Sequence, residues 1–546
     1  MSPQADRSLV VRRILQDQRP LPAPPSPVSP SHPQSLRGSA MAPRPDTLLH
    51  DSGAHAAAGH ASALLEQQSV CAPPCVVGVS VSAALVLICV VLALSCWLSK
   101  KFLISVIKAR NAMFRCFYQR VLKPHFFRMD PEKCHELAIK SGKVLGATSF
   151  TRGTVGVQFG APHLKELEQT IQGVVFPNCV GLAAGFDKNA DLIKLMPHVG
   201  FGFEEVGSIT GRPCEGNPKP RVWRLPQSES LQIWFGLCND GAEKIAQRLR
   251  VNHPHLLRSN MTKSMDKGGK NGRRQAPPFV TGISIAKTNC RETVEEHVGI
   301  QDYVQAYREL LDVGHYWAIN VSCPNVYQDN GRQPFTEPEP LDKLLTALRG
   351  VHEFDRPTFV KIGPDLSSQQ VDGIIDVCLR HGVTGMIISN LTKKREGNTH
   401  IHEEDLLGGK LPYLGGLSGK VVEDLTNQLI RYVYAKSGGK LVIVGVGGVF
   451  TAEDAYRKIR NGASLVQLIT GMIYRGPQLI SDIVVGLSDL LAKDGFTHIS
   501  QAVGADVKQA GEGIKGDSPA LQVAQRQRMG LVEKDTQETD SFIVTS

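Results

Sequence analysis

Three kinds of residue in this 546-residue chain could do chemistry together. The first is Cys323, in Ser322-Cys323-Pro324-Asn325 with Asn320 just upstream. A thiol accepts a proton when its pKa is lowered or when the transition state draws the proton to it. The other reading of one cysteine is an inert small core residue. The second kind is lysine: Lys188 in AAGFDKN and Lys361 in VKIGPD. An ammonium beside a cofactor ring or a substrate carboxylate stabilises negative charge as it develops. Taken singly, either lysine also reads as a surface residue. The third is glycine, in Gly415-Gly416-Leu417-Ser418-Gly419 and Gly445-Val446-Gly447-Gly448. Small residues let backbone N–H groups approach a phosphate closely, and the alternative is a pair of tight turns.

These residues need elements to hold them. From residue 175 onward short apolar runs alternate with helical periodicity. The expected strands are Cys179–Ala183, Phe203–Gly207, Phe279–Ile285, Trp317–Val321, Thr358–Ile362, Gly385–Ser389, Leu441–Val446 and Leu465–Ile469. Expected helices include Val371–His381, Val421–Lys436, Ala452–Asn461 and Leu479–Lys493. Eight strands alternating with helices predict an α/β fold, a (β/α)8 TIM barrel. A doubly wound sheet usually has six strands, and no G-x-G-x-x-G follows the first one here. In a barrel the active site lies at the C-terminal strand ends, with phosphate after the last two. The residues found there are AAGFDKN, GSITGRP, SIAKTN, NVSCPN, VKIGPD, SNLT, GVGG and ITG, a mouth rich in Gly, Asn, Ser, Thr and Lys.

The rest of the chain reads differently. Residues 1–45 hold 10 of the 33 prolines, and residues 1–75 show no sustained period, which predicts disorder over 1–75. Arg7, Arg12, Arg13 and Arg19 give a weak organelle-targeting character, diluted by Asp6 and Asp17. Val76–Trp97 carries no charge and is long enough for a single transmembrane helix. After it come Lys100, Lys101, Lys108, Arg110, Arg115, Arg120, Lys123 and Arg128, interleaved with Phe102, Met113, Phe117 and Phe127. That stretch suits an anionic membrane surface; the plainer reading is a stop-transfer flank. Residues 256–278 read as a polar insertion and 505–546 as a disordered tail. A formal charge of +9 is mild for this length and argues against a nucleic-acid binder. Twelve scattered cysteines with no C-x-x-C argue against a disulfide scaffold and against a metal site.

Together these motifs resemble the dihydroorotate dehydrogenase family, in its membrane-bound, quinone-dependent class 2 branch. The resemblance covers residues 115–500 and rests on AAGFDK, GSITGRP, NPKPRVWRL, NVSCPN, VKIGPDLS, GMIISN, GGLSG, GVGG and GASLVQL in family order. MDPEKCHELA resembles the start of that branch's small helical N-terminal domain. The organisation expected is therefore a disordered or targeting segment (1–75), a span (76–97), a membrane-proximal helical domain giving quinone access (98–150), the barrel (151–504) and the tail.

The resemblance implies bound FMN and oxidation of dihydroorotate to orotate. A base takes the C5 proton while hydride passes from C6 to the flavin. Ubiquinone is the implied acceptor and the mitochondrial inner membrane the implied location. Carried over by position, Cys323 is the base and Lys188 assists it. FMN falls to Ala184, Gly185, Lys188, Ser208, Ser284, Asn320, Lys361, Ser389, Ser418, Gly419, Gly447, Gly448, Ile469 and Thr470. Substrate falls to Lys188, Asn239, Asn320, Asn325 and Asn390, and quinone to His135 and Arg224.

Several positions depart from the family pattern. Cys323 stands where class 2 members carry serine, as in the soluble branch. The family's Asn-Arg-x-Gly-Phe reads Ile233-Trp234-Phe235-Gly236-Leu237, so Asn239 substitutes for the leading Asn only if the chain shifts. Ser284 replaces Asn, Leu391 replaces Thr, and Ile469 replaces Tyr. Each lost partner of a buried polar group costs about 1–3 kcal/mol. Two other readings therefore stand beside the first. One is an FMN oxidoreductase of this fold acting on a different small cyclic substrate; the other is a catalytically silent flavin-binding homologue.

Overall fold

The computed structural model describes residues 100–258, 278–328, 333–395, 397–406 and 415–510, with residues 83, 85–92 and 95. Thirteen strands are present among them, β1 Gln169–Ile171, β2 Val174–Phe176, β3 Val180–Leu182, β4 Phe203–Ile209, β5 Val222–Leu225, β6 Ser230–Ile233, β7 Val280–Ile285, β8 Tyr316–Asn320, β9 Thr358–Ile362, β10 Gly385–Ile388, β11 Gly416–Gly419, β12 Val442–Val446 and β13 Ala463–Leu468. Eight of these, in the order β10-β12-β13-β3-β4-β7-β8-β9, close into a parallel barrel. They are the eight strands expected from the apolar runs, displaced by a residue or two at their ends. Their residues are nearly all buried, as strands covered on both faces must be. Each buried Val, Leu or Ile contributes about 1.5–3 kcal/mol.

Helices follow the strands and face them with apolar stripes. Ser368–Arg380 shows why one starts where it does: Ser367 Oγ accepts from Gln370 N, and Gln370 Oε1 accepts from Ser367 N at 2.9 Å. The helices expected over 371–381, 421–436 and 452–461 are Ser368–Arg380, Glu423–Lys436 and Ala452–Arg460. The fourth, Leu479–Lys493, has the expected ends.

Two further layers cover the mouth. β5, β6 and β11 form an antiparallel sheet in the order β11-β6-β5, with Gly416 opposite Ile233 and Gly419 opposite Ser230. The GGLSG run is thus a strand rather than only a loop. Before the barrel come helices α1 (Lys100–Phe117), α2 (Lys123–Arg128), α3 (Pro131–Ala147) and α4 (Ser149–Phe159). α3 starts at an Asp130 cap, whose Oδ1 accepts from Lys133 N at 2.9 Å, and has proline at its first position. It is tied to Arg221, the residue just before β5, by the Glu132–Arg221 pair at 2.8 Å. α1 lies on the last barrel helix, Leu479–Lys493. Lys108 pairs with Asp489 at 2.7 Å and Arg115 with Asp482 at 2.9 Å, and Arg110 Nη2 donates to Gly160 O and Ser481 Oγ.

Several expectations change here. Lys108, Arg110 and Arg115 of the basic stretch turn to the barrel, because carboxylates and carbonyls of the barrel's last helix and its approach face them. Leu256 is fully buried, Leu257 bridges to Val313 and Arg258 N donates to Asp312 O, so the first residues of the supposed insertion belong to the barrel. Positions 259–277 lie outside the described residues. Ala505–Ala510 continues as a helix with Ala505 and Val507 buried; 511–546 lie outside the described residues. So do 1–75 and most of the expected span; within it Leu85–Leu92 is helical and exposed. Among the described residues no helix is long and apolar enough to cross a membrane.

Candidate active site

The barrel strands deliver their C-terminal residues into one cavity of about 540 Å³. Its floor is polar and comes from strand ends: Lys188, Ser208, Asn320, Cys323, Asn325, Lys361, Ser389 and Asn390. One flank is glycine-rich, with Gly185, Ser418, Gly419, Gly447, Gly448 and Thr470. The outer part is apolar and comes from the preceding helices: Tyr118, Phe126, Phe127, Leu137 and Ala138.

The floor is held by a buried hydrogen-bond chain. Asn390 Nδ2 donates to Asn320 Oδ1 at 3.1 Å and to Ser322 Oγ at 3.2 Å. Asn320 Nδ2 donates to Ser208 Oγ at 2.8 Å, and Ser208 Oγ is 2.8 Å from Ser284 Oγ. Lys361 Nζ pairs with Glu205 Oε1 at 3.3 Å, and Gln467 Nε2 donates to Glu205 Oε2 at 3.0 Å. Removing one member of such a network leaves its partner unsatisfied in a low dielectric. Asn325 Oδ1 is a buried acceptor without a hydrogen-bond partner, on the cavity wall.

Lys188 is held differently. Its Nζ donates to His135 Nε2 at 3.0 Å, in the tautomer with the proton on Nδ1, and sits 3.9 Å from the Phe235 ring centroid. Burial lowers the Lys188 pKa and pushes His135 down to about 3, with the Lys188 charge adding to the latter. His135 is therefore a neutral acceptor at physiological pH. Burial pushes the Cys323 thiol up to about 11, against the pull of Lys287 and Lys361. On the glycine flank, Gly447 and Gly448 have φ of 104° and 72°. A Cβ at Gly448 would stand 2.4 Å from Glu423 Cβ, so only glycine fits. Ser418 Oγ is 3.0 Å from Thr470 Oγ1 beside them.

Of the residues singled out by sequence, Ala184, Ile469, His135 and Arg224 also line this cavity. Arg224 donates to Met129 O at 2.7 Å and lies over Phe127. Two do not reach it. Ser284 is fully buried behind Ser208. Asn239 accepts from Gly241 N and donates to Thr210 Oγ1 and Leu237 O, so its amide is consumed in a turn. Where the sequence had offered Asn239, the wall is Ile233, Phe235, Leu237 and Leu391, with no hydrogen-bonding side chain. Sequence reasoning passed over Glu205 and Ser322, which hold this floor, and Lys287, buried close to Cys323. Only Ser322 and Lys287 stood in motifs already marked at strand ends.

The sequence profile of the family described as dihydroorotate dehydrogenase matches residues 166–491. The chain belongs to the dihydroorotate dehydrogenase family. A relative from Gloeobacter violaceus named dihydroorotate dehydrogenase (quinone) is 35% identical over 70% of this chain and 98% of its own length. A rice relative, Oryza sativa subsp. japonica, named dihydroorotate dehydrogenase (quinone), mitochondrial, is 36% identical over 71% of this chain and 80% of its own. These matches place the chain in the quinone-dependent branch of the dihydroorotate dehydrogenase family. The ligand-free dihydroorotate dehydrogenase structure from Eimeria tenella superimposes with a TM-score of 0.57 at 29% identity, over 69% of this chain and 99% of that one.

Proposed function

We propose that this chain uses bound FMN to oxidise dihydroorotate to orotate and passes the electrons to a ubiquinone. The observation that carries the reading is the single cavity joining a polar floor, with Cys323 and Lys188, to an apolar mouth. A polar reactant and a lipid-soluble acceptor can then use one site from opposite ends.

The residues present fit FMN. Gly185 has φ 107°, and a Cβ there would project into open space, so nothing from the chain fills the room beside it. The Ser418–Thr470 hydroxyl pair with Gly419, Gly447 and Gly448 would take the phosphate, and Ser208, Asn320, Lys361 and Ser389 the ring system. Bound FMN supplies the acceptor for the hydride leaving C6. Cys323 would take the C5 proton. The free Asn325 Oδ1 suits a ring N–H, and Lys188 suits the substrate carboxylate. His135 and Arg224 would face the quinone head beyond them.

A membrane location fits the outer surface. Phe102, Met113, Val144, Phe150 and Val157 are exposed on the helices before the barrel, with Phe150 79% exposed. With the uncharged run Val76–Trp97 they support single-pass anchoring, and the rice relative's name supports a mitochondrial location; the inner membrane follows from the proposed ubiquinone acceptor. The deciding experiment is anaerobic mixing of purified protein with dihydroorotate while following flavin absorbance. Rapid bleaching, reversed by a short-chain quinone, is expected. A yellow protein that dihydroorotate does not bleach would overturn the substrate. The apolar wall of Ile233, Phe235, Leu237 and Leu391 favours that second reading, a different small cyclic substrate or a silent flavoprotein.

A further inference from the structure

Cys323 has a second, smaller cavity against it. It measures about 20 Å³, enough for one water, and is lined by Cys323, Lys287, Asn320, Tyr303 and Gln328. A water there has polar partners available, since Gln328 Nε2 is a buried donor without a hydrogen-bond partner. Lys287 is only 5% exposed. Its Nζ donates to Tyr327 O at 3.2 Å and to Thr293 Oγ1 at 3.5 Å, and among the described residues it forms no ion pair. A buried lysine held only by neutral oxygens is costly unless it can give up its proton. Burial indeed lowers its pKa.

The other charged or titratable groups facing this amine are Asp302 and Cys290. The Asp302 carboxylate is occupied by Thr288 N at 2.6 Å and faces Arg212 Nε at 3.5 Å. Cys323 in turn is faced by Lys287, Lys361 and Cys214. Lys361 is committed to Glu205 and Cys214 donates to Gly236 O. That leaves Lys287 as the amine able to exchange a proton with Cys323 through the small cavity.

We infer that Lys287 and Cys323 share one proton across this cavity, so that Lys287 acts through Cys323 to supply its thiolate and to carry the substrate proton away. The inference rests on the proposed reaction. With the shared proton on Nζ, Cys323 Sγ is a thiolate. An S–H bond forms as the substrate C5–H bond breaks, and that electron pair becomes the C5–C6 double bond as hydride leaves C6 for the flavin. The pair is left as thiol and ammonium. The ammonium releases one proton to solvent past the half-exposed Tyr327, and the remaining proton is shared again.

The test compares the parent with Lys287→Met and Lys287→Arg, all flavin-loaded. Iodoacetamide alkylation of Cys323, read by peptide mass spectrometry without substrate, should be about tenfold slower at pH 8 in Lys287→Met, a shift of about one pKa unit. Flavin reduction by dihydroorotate should fall about 100-fold in the same protein. Lys287→Arg fixes the cation, so its alkylation should persist to lower pH than in the parent. Alkylation with the parental pH profile in Lys287→Met would overturn the inference. Should that variant not fold, a parental alkylation profile in Lys287→Arg would overturn it equally. If dihydroorotate fails to bleach even the parent, the proposed reaction is what fails, and the alkylation profiles still decide the Lys287–Cys323 pair.

Discussion

The floor and the mouth of the cavity are built by opposite means. The floor is made of strand ends whose side chains bind one another: Asn390 to Asn320, Asn320 to Ser208, Lys361 to Glu205. The mouth is made of helical side chains that meet mainly through aromatic contacts, such as Phe127 on Tyr474 at 5.2 Å. A floor of this kind resists single replacements, because each leaves a buried partner unsatisfied. A mouth of apolar surfaces tolerates exchange of one hydrophobic shape for another. The wall of Ile233, Phe235, Leu237 and Leu391 is apolar, like the mouth.

The strongest way to break this contrast is at Cys323. Cys323→Ala should keep its flavin yet reduce it about 10²–10⁴-fold more slowly, while Cys323→Ser keeps partial activity. Stopped-flow bleaching at the parental rate in Cys323→Ala would show that the floor's thiol is inert. Next is Lys361→Met, which strands the Glu205 carboxylate beneath the floor. A loss of about 3–5 kcal/mol is expected in urea unfolding, against less than about 1.5 kcal/mol for Leu137→Met in the mouth. Equal losses would abolish the distinction. Ile233→Asn returns one polar partner to the wall. It should raise kcat/KM for flavin reduction by dihydroorotate about five- to 100-fold, worth about 1–3 kcal/mol. A fall in that ratio would mean the wall is fitted to another ligand.

The smallest effect concerns pH. Native His135 stays neutral until about pH 3, whereas the unfolded side chain protonates near 6.5. The unfolded or undocked state therefore binds more protons below 6.5. The docking of α3 should weaken, by at most about 1.4 kcal/mol per pH unit, as pH falls from 6.5 toward 3. Hydrogen exchange, corrected for its intrinsic pH dependence, should rise over Pro131–Ala147 between pH 7 and pH 5. In Thr358–Ile362 it should not change. Uniform behaviour of the two segments would count against His135 as the cause.

The barrel was legible because its signals are local. Thr358–Ile362 and Leu479–Lys493 have the expected ends, since a continuous apolar run or a helical stripe needs no distant partner to be recognised. The roof was not. Gly416–Gly419 becomes a strand only by pairing with Ser230–Ile233, far away in sequence. Asn239 failed for a conformational reason. Gly236 and Leu237 both take positive φ, 69° and 61°, which turns the chain so that Asn239 pairs with Cys214 instead of entering the cavity. Ser284 failed by one layer, because Ser208 stands between it and the cavity. Lys287 lay in a motif at a strand end, but its importance comes from a cavity that no spacing reveals.

The contact of Lys100–Phe117 with the last barrel helix has a practical meaning for anyone shortening the chain. Asn111 Nδ2 and Arg115 both end on Asp482, and Lys108 ends on Asp489. A chain begun at Lys100 keeps the strap that joins Lys100–Phe117 to Leu479–Lys493. One begun at Asp130 would look tidier, since the barrel is intact. It would instead leave the apolar and acidic surface of Leu479–Lys493 bare and prone to clump.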